Sequence, residues 1–120
     1  MFPGGSGVIA PEPDFAVRIE KEQVPDVGPR VLVVVTGDVD YTHFGELETA
    51  LEHEIGRSTG PLDLVVDLTA VPYCDSCGMR VLLGASQQVA AGGGVFGLRG
   101  VHGQVARALK LTGLDRVLGA

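Results

Sequence analysis

The sequence predicts an α/β domain in which a mixed sheet of four to five strands is combined with three main helices, in the order β-β-α-β-α-β-α. Three observations lead to this prediction. Short runs rich in valine and leucine have the length and composition of strands. Segments with apolar residues at helical spacing lie between them, and Gly- and Pro-rich stretches separate the two kinds of segment. Because strands joined through helices pair in parallel, the centre of the sheet should be parallel.

The first two strands should form an antiparallel hairpin at the N-terminal side of the sheet. Asp14–Glu22 alternates apolar and polar side chains, which is typical of an edge or half-buried strand. Val24–Pro29 contains two prolines and a glycine and predicts a turn. The Val/Leu run within Arg30–Thr36 predicts a central strand. Leu62–Leu68 should be a central strand buried on both faces, and Val95–Leu98 the next short strand.

The first helix should follow the second strand, with Asp40 or Thr42 as its cap, and the stretch Ser58–Pro61 should end it. Its apolar side chains share one face, and its glutamates lie elsewhere, where water should solvate them. These two sets are Phe44, Leu47, Leu51 and Ile55 on the apolar face, and Glu46, Glu48, Glu52 and Glu54 on the solvated side.

The second helix should begin at a cap formed by Asp75 or Ser76, and the third should span Gln104–Thr112 and end at Gly113. Asp115–Leu118 should add a short strand or a helical turn. The residues expected to face the core are Met79, Leu82, Leu83, Ser86, Val89 and Ala90 in the second helix, and Val105, Leu109 and Thr112 in the third.

Composition narrows the class of protein. The 120 residues suit one domain, and we expect a flexible tail over residues 1–13 followed by a single domain over residues 14–120. The net charge of −6 argues against nucleic acid or an anionic membrane as a partner. No apolar run is long enough for a membrane span, and the start does not resemble a signal peptide, so we expect a cytoplasmic protein. The scattered histidines predict no metal site, and no cofactor is expected.

Ser76 is the main candidate for a functional residue. It stands at the start of the second helix, just past the end of a predicted central strand. Free backbone N–H groups and the positive end of the helix dipole make such a position hospitable to an anion. A serine at a helix start is also a common cap, so position alone leaves both roles open.

Three motifs in order resemble those of the STAS domain family. Asp75-Ser76-Cys77-Gly78-Met79, after the strand end Val66-Asp67-Leu68, is similar to the family's Asp-Ser-Ser/Thr-Gly-Leu signature. Val35–Asp40 resembles its Leu-Thr-Gly-Glu-Leu-Asp, and Leu109–Leu114 resembles its Leu-x-x-Thr/Ser-Gly-Leu ending. The resemblance covers roughly Arg30 to Leu118. Two departures are Cys77, where the family has a second Ser or Thr, and Arg80, where a small residue is common.

The resemblance implies a bacterial anti-sigma factor antagonist, which is not an enzyme. In that role the unphosphorylated chain binds an anti-sigma factor with serine kinase activity and thereby releases a sigma factor. Phosphorylation of Ser76 by that partner ends binding, and a phosphatase resets the switch. The oligomeric state, monomer or weak dimer, is left open. The residues expected around the phosphorylation site and in the partner surface are Asp38, Asp40, Asp75, Cys77, Gly78, Met79 and Arg80.

Two alternative functions stay open on the sequence. Cys74 and Cys77 form a C-x-x-C pair at a strand-to-helix junction, the place where thioredoxin-like proteins hold a redox dithiol. A redox sensor or thiol-disulfide protein is therefore one alternative, although the usual aromatic-Cys-Gly-Pro-Cys setting is absent. The other is a scaffold or ligand-sensing STAS module that works without phosphorylation.

Overall fold

The computed structural model describes residues 15–119, so the expected N-terminal tail over residues 1–13 lies outside the described residues. The sheet has four strands, in the spatial order β1-β2-β3-β4, with β1 antiparallel to β2 and the other pairs parallel. The mixed sheet and hairpin are therefore confirmed. A fourth, short helix follows the three main ones. The elements are β1 Phe15–Val24, β2 Gly28–Gly37, α1 Phe44–Gly56, β3 Asp63–Ala70, α2 Ser76–Ala91, β4 Val95–Arg99, α3 Gly103–Thr112 and α4 Leu114–Leu118.

The N-terminal hairpin is longer than the sequence predicts, because pairing continues to its tip. Its register runs from Phe15 opposite Gly37 to Val24 opposite Gly28, which leaves three residues in the turn. Asp26 takes a left-handed φ of 65° there, a conformation that Asp tolerates better than most residues. The predicted turn Val24–Pro29 is therefore in the correct place but includes residues that belong to the strands.

The core lies on one face of the sheet. Val33 and Val35 of β2 and Leu64, Val66 and Leu68 of β3 are buried there and pack with the helices. The prediction that Leu62–Leu68 is buried on both faces is wrong, because alternate residues of β3 are only half-buried. The helices supply the other buried members of the core, namely Leu47, Leu51, Met79, Val81, Leu82, Ala85, Val89, Val105, Leu109 and Leu118.

Ion pairs extend across the opposite face of the sheet. Glu22 of β1 accepts two hydrogen bonds from the Arg99 guanidinium of β4, at 3.1 and 3.2 Å, although these are the two edge strands. Arg30 of β2 donates to Asp63 of β3 at 3.1 Å. Leu32 belongs to this face by its register and is nevertheless buried. Polar side chains thus extend over this face, whereas the buried apolar side chains of the helices join the core on the other face.

The apolar stripe of α2 is rotated relative to the prediction. Met79, Leu82 and Val89 are buried as expected, whereas Leu83 and Ser86 are half-buried and Ala90 is exposed. The unexpected buried positions are Gly78, Val81 and Ala85. Gly78 carries no side chain and so gives no apolar signal, although it makes a close contact of this helix.

Three further details of the helices differ from the sequence expectation. Glu54 is 4% exposed rather than solvated, and its nearest cation among the described residues is Arg57, 3.8 Å away. Thr112 is exposed and turns its hydroxyl back to the carbonyls of Ala108 and Leu109. At the start of α1 neither Asp40 nor Thr42 is the cap: the N-cap position belongs to His43, whose side chain makes no capping bond.

The end of α3 follows the prediction. Gly113 stops the helix in a left-handed conformation, with φ of 76°, and the next residues form the short helix α4. None of the helices among residues 15–119 combines the length and the apolar composition needed to cross a membrane.

Candidate functional site

Ser76 is the first residue of α2 and is exposed. It follows the β3–α2 loop, residues Val71–Asp75, which leaves the carboxyl end of β3. The side-chain cap of α2 comes from Asp75, whose Oδ1 accepts hydrogen bonds from the N–H groups of Cys77 (2.8 Å) and Gly78 (3.1 Å). Ser76 is therefore not needed as the cap, and its hydroxyl stands at the positive end of the helix dipole.

The β3–α2 loop is fastened to the β2–α1 loop, residues Asp38–His43. The Val39 N–H donates to the Tyr73 carbonyl at 2.9 Å, and the Asp75 N–H donates to the Val39 carbonyl at 3.1 Å. These bonds make an isolated parallel bridge between Val39 and Cys74. Since β2 and β3 are parallel, both loops lie at the same edge of the sheet. The carboxylates that flank Val39 therefore lie at the edge where α2 begins.

The two carboxylates of the β2–α1 loop differ in their surroundings. Asp38 is exposed. Asp40 accepts bonds from the Thr42 hydroxyl (2.7 Å) and from the N–H groups of Thr42 and His43 (3.1 Å each). The Thr42 hydroxyl bond is the largest influence that lowers the pKa of Asp40 below its ordinary value. Asp40 thus organises the turn before α1 and remains negatively charged.

Gly78 allows the first turn of α2 to approach both loops. A Cβ placed at Gly78 would lie 2.5 Å from the Cys74 Sγ, 2.7 Å from Val39 Cγ1 and 2.9 Å from the Val39 carbonyl oxygen. All three distances are shorter than a real side chain adopts. The glycine of the Asp-Ser-x-Gly motif is therefore required by packing, since it brings the helix start against the bridge between the loops.

The two cysteines occupy different environments, and both are free thiols. Cys74 is 1% exposed and belongs to the core. Burial, with a smaller contribution from the charge of Asp75, raises the pKa of Cys74 to about 12. Cys77 is half-buried on the first turn of α2. The thiolate that redox exchange requires is therefore strongly disfavoured at Cys74.

Of the remaining residues predicted around the phosphorylation site, one is exposed and two are buried. Arg80 is exposed and lies four residues after Ser76, on the same side of α2. Met79 is 5% exposed and packs in the core, as its helical spacing predicted, so it does not itself present a contact surface beside Ser76. Gly78 is also buried and shapes the site from beneath rather than from the surface.

Three residues at this edge were not predicted from the sequence. Tyr41 is 74% exposed and Tyr73 is 42% exposed, one in each loop. Aromatic residues within loops that follow parallel strands were the available signal. Gln104, in the first turn of α3, accepts a hydrogen bond from the Cys74 N–H at 3.0 Å and donates to the Cys74 carbonyl at 3.2 Å. No sequence pattern indicated that contact, which joins residues thirty positions apart.

Within residues 15–119, no group of three or more His, Cys, Asp or Glu side chains is arranged to hold a metal ion. The Ser76 edge therefore combines an exposed hydroxyl and an arginine at the start of α2 with carboxylates and two tyrosines on two hydrogen-bonded loops.

Several solved structures are similar to this chain in fold. An anti-sigma factor antagonist from Mycobacterium paratuberculosis is 28% identical, with a TM-score of 0.70 and coverage of 89% of this chain and 86% of that one. An RsbS variant from Moorella thermoacetica is 28% identical, with a TM-score of 0.61 and coverage of 82% and 80%. The anti-sigma factor antagonist SpoIIAA in its unphosphorylated form is 17% identical, with a TM-score of 0.64 and coverage of 86% and 98%.

The sequence profile of the STAS domain matches residues 18–119, which is most of the chain. This match agrees with the mixed sheet, the order of helices and the Asp75–Gly78 motif at the start of α2. The chain belongs to the STAS domain family.

Proposed function

We propose that this protein is an anti-sigma factor antagonist of the bacterial cytoplasm, switched by phosphorylation of Ser76. In the unphosphorylated state it binds an anti-sigma factor that is also a serine kinase, and a sigma factor is released. Phosphorylation by that partner ends the interaction, and a phosphatase restores it. The observation that carries the proposal is the exposed Ser76 at the start of α2, with Asp75 rather than Ser76 capping the helix.

The position of Ser76 suits a modification that leaves the fold intact. A phosphate adds about −1.5 to −2 charges at neutral pH. The helix N-terminus favours such a charge by about 0.3–1 kcal/mol, and Arg80 on the same side of α2 adds an attractive partner. Asp38, Asp40 and Asp75 stand at the same edge and oppose it. We therefore expect the phosphorylated chain to stay folded while its surface becomes more negative at this edge.

The two loops around Ser76 form the docking surface in this proposal. Tyr41 and Tyr73 are exposed there, and tyrosines are enriched among the residues that dominate binding energy at protein interfaces. The bridge through Val39 holds the two loops together, so the partner meets a preformed surface. A phosphate at Ser76 would stand at this surface, where it adds charge that the partner must desolvate.

A kinase assay tests the proposal. The protein is incubated with ATP and each anti-sigma factor of its organism that has a serine kinase domain, and the phosphate is located by mass spectrometry. We expect a single phosphate on Ser76 and none in Ser76→Ala. Ser86→Ala is the matched control, because Ser86 lies in the same helix and outside the motif. Wild-type levels of phosphorylation in Ser76→Ala would contradict the assignment.

The redox alternative has less support in the geometry. It requires Cys74 to form a thiolate or a disulfide with Cys77. Cys74 is buried in the core, and its raised pKa of about 12 opposes thiolate formation at neutral pH. We therefore assign the cysteines to packing and place the switch at Ser76.

A further inference from the structure

Gln104 makes an unusual contact with the loop that precedes Ser76. Its carboxamide bonds both polar backbone groups of one residue, because Oε1 accepts from the Cys74 N–H (3.0 Å) and Nε2 donates to the Cys74 carbonyl (3.2 Å). The amide therefore pairs with Cys74 as a neighbouring strand would. The contact is long-range, because α2 and β4 lie between Cys74 and Gln104 in the chain.

The opposite side of the same segment is held by Val39. The Tyr73 carbonyl accepts from the Val39 N–H, and the Asp75 N–H donates to the Val39 carbonyl. The two peptide groups that flank Cys74 thus use all four of their polar atoms, two toward Val39 and two toward Gln104. This segment is short and lies outside the sheet ladder, so these four bonds fix the backbone immediately before Asp75 and Ser76.

The residues that precede α3 also contact the end of β3, where the β3–α2 loop begins. The His102 Nε2 lies 2.9 Å from the Thr69 carbonyl at the end of β3. Gly100 packs so closely on Thr69 that a Cβ there would overlap it. The segment from Gly100 to Gln104 therefore contacts the connection between β3 and α2 at both its beginning and its end.

We propose that Gln104 is a positioning residue for Ser76. Its carboxamide holds the Cys74 backbone against the Val39 bridge, and this fixes the presentation of Ser76 to the kinase and to the anti-sigma factor. The expected effect on the conformation of the β3–α2 loop depends only on these hydrogen bonds, whereas the expected effect on phosphorylation rests on the proposed function. Gln104 does not contact the hydroxyl that reacts, so it acts only through the loop.

The test compares Gln104→Leu, which keeps the approximate size of the side chain but loses both bonds, with Gln104→Glu, which keeps the acceptor and replaces the donor with an oxygen that faces the Cys74 carbonyl. Arg107→Ala is the matched control, because Arg107 is an exposed residue of the same helix. Amide hydrogen exchange measured by NMR reports on Cys74, with Val66 in β3 as the reference. Steady-state phosphorylation gives kcat/KM for each variant, and circular dichroism verifies folding.

For Gln104→Leu we expect Cys74 exchange to accelerate by about 5- to 30-fold, as for the loss of one to two hydrogen bonds, with Val66 unchanged. The kcat/KM of phosphorylation should fall by a factor in the same range. Gln104→Glu should be impaired at least as much as Gln104→Leu, because its second oxygen would face the Cys74 carbonyl oxygen, and Arg107→Ala should match wild type. Wild-type exchange at Cys74 in Gln104→Leu would show that the Gln104 hydrogen bonds do not hold the Cys74 backbone. Accelerated exchange with unchanged kcat/KM would overturn the positioning role. If no kinase phosphorylates the wild-type protein, the proposed function is refuted instead. The hydrogen-exchange measurement then still decides whether Gln104 holds the Cys74 backbone.

Discussion

Substitution of Gly78 tests the packing that brings Ser76 to the loop edge. In Gly78→Ala the new methyl group would meet the Cys74 Sγ, Val39 Cγ1 and the Val39 carbonyl oxygen at 2.5, 2.7 and 2.9 Å. The last two atoms are a β-branched side chain and backbone, which yield little. We therefore take the upper end of the usual overpacking cost, about 3 kcal/mol. Alanine regains about 1 kcal/mol from its helix propensity, so the net loss should be about 2 kcal/mol.

Gly84 supplies the matched control within α2. A Cβ at Gly84 has no heavy atom within 4 Å, so Gly84→Ala changes helix propensity without a collision. It should stabilise the protein by about 0.5–1 kcal/mol. Two substitutions of the same type in one helix are thus predicted to have opposite signs.

Urea denaturation followed by circular dichroism measures both changes. For a chain of 120 residues, the loss in Gly78→Ala corresponds to a fall in Tm of about 8 °C. The cost of Cys74→Ala should be smaller in the Gly78→Ala background than in the wild type, because it removes one of the three colliding atoms. A Gly78→Ala variant as stable as the wild type would show that the close approach of α2 to Cys74 and Val39 has no energetic consequence.

Three further predictions follow from the surface and the thiols. The Arg99 hydrogen bond lowers the pKa of Glu22 below its ordinary value of about 4.5, so the stabilisation is present above that pH and is lost as the pH falls through the lowered pKa. Glu22→Gln should therefore be less stable than wild type at pH 7 and equal to it in strong acid, as measured by urea titration at each pH. Alkylation at pH 8 should label Cys77 first and Cys74 only on unfolding, because Cys74 is buried with a pKa of about 12, and mass spectrometry with and without urea checks the order. Arg80→Ala should lower the Tm of the phosphorylated chain by about 1–4 °C and leave that of the unphosphorylated chain within error, and equal effects on both forms would argue against a phosphate contact.

The sequence was sufficient for the order of elements because local patterns specify them. Alternation in β1, the apolar run of β2 and the Gly/Pro stretches each depend on residues close in the chain. The motif at the start of α2 was equally local, so the exposed Ser76 and the Asp75 cap agree with the prediction. Whether helices cover one face of a strand or both depends on where the helices pack. The β3 sequence alone does not specify that packing. This is why the prediction for Leu62–Leu68 was wrong.

Errors at the site have a similar physical origin. The buried stripe of α2 was assigned from side-chain hydrophobicity, and Gly78 has no side chain to reveal its close packing. Met79 was expected both in the core, from its helical spacing, and around the phosphorylation site, from its place in the motif, and the structure buries it in the core. The Gln104 contact with Cys74 joins residues whose proximity arises only after β4 has been placed in the sheet. Such contacts leave no periodic signal in a single sequence.

In the proposed function, a phosphate on Ser76 controls partner binding. The most direct test of this control is the affinity of the cognate anti-sigma factor for one preparation of the protein, measured by calorimetry before phosphorylation, after phosphorylation and after phosphatase treatment. We predict that phosphorylation weakens binding at least about tenfold, equivalent to about 1.4 kcal/mol, and that dephosphorylation restores it. Equal affinity in all three states, with the phosphate on Ser76 verified by mass, would contradict control of binding by this phosphate.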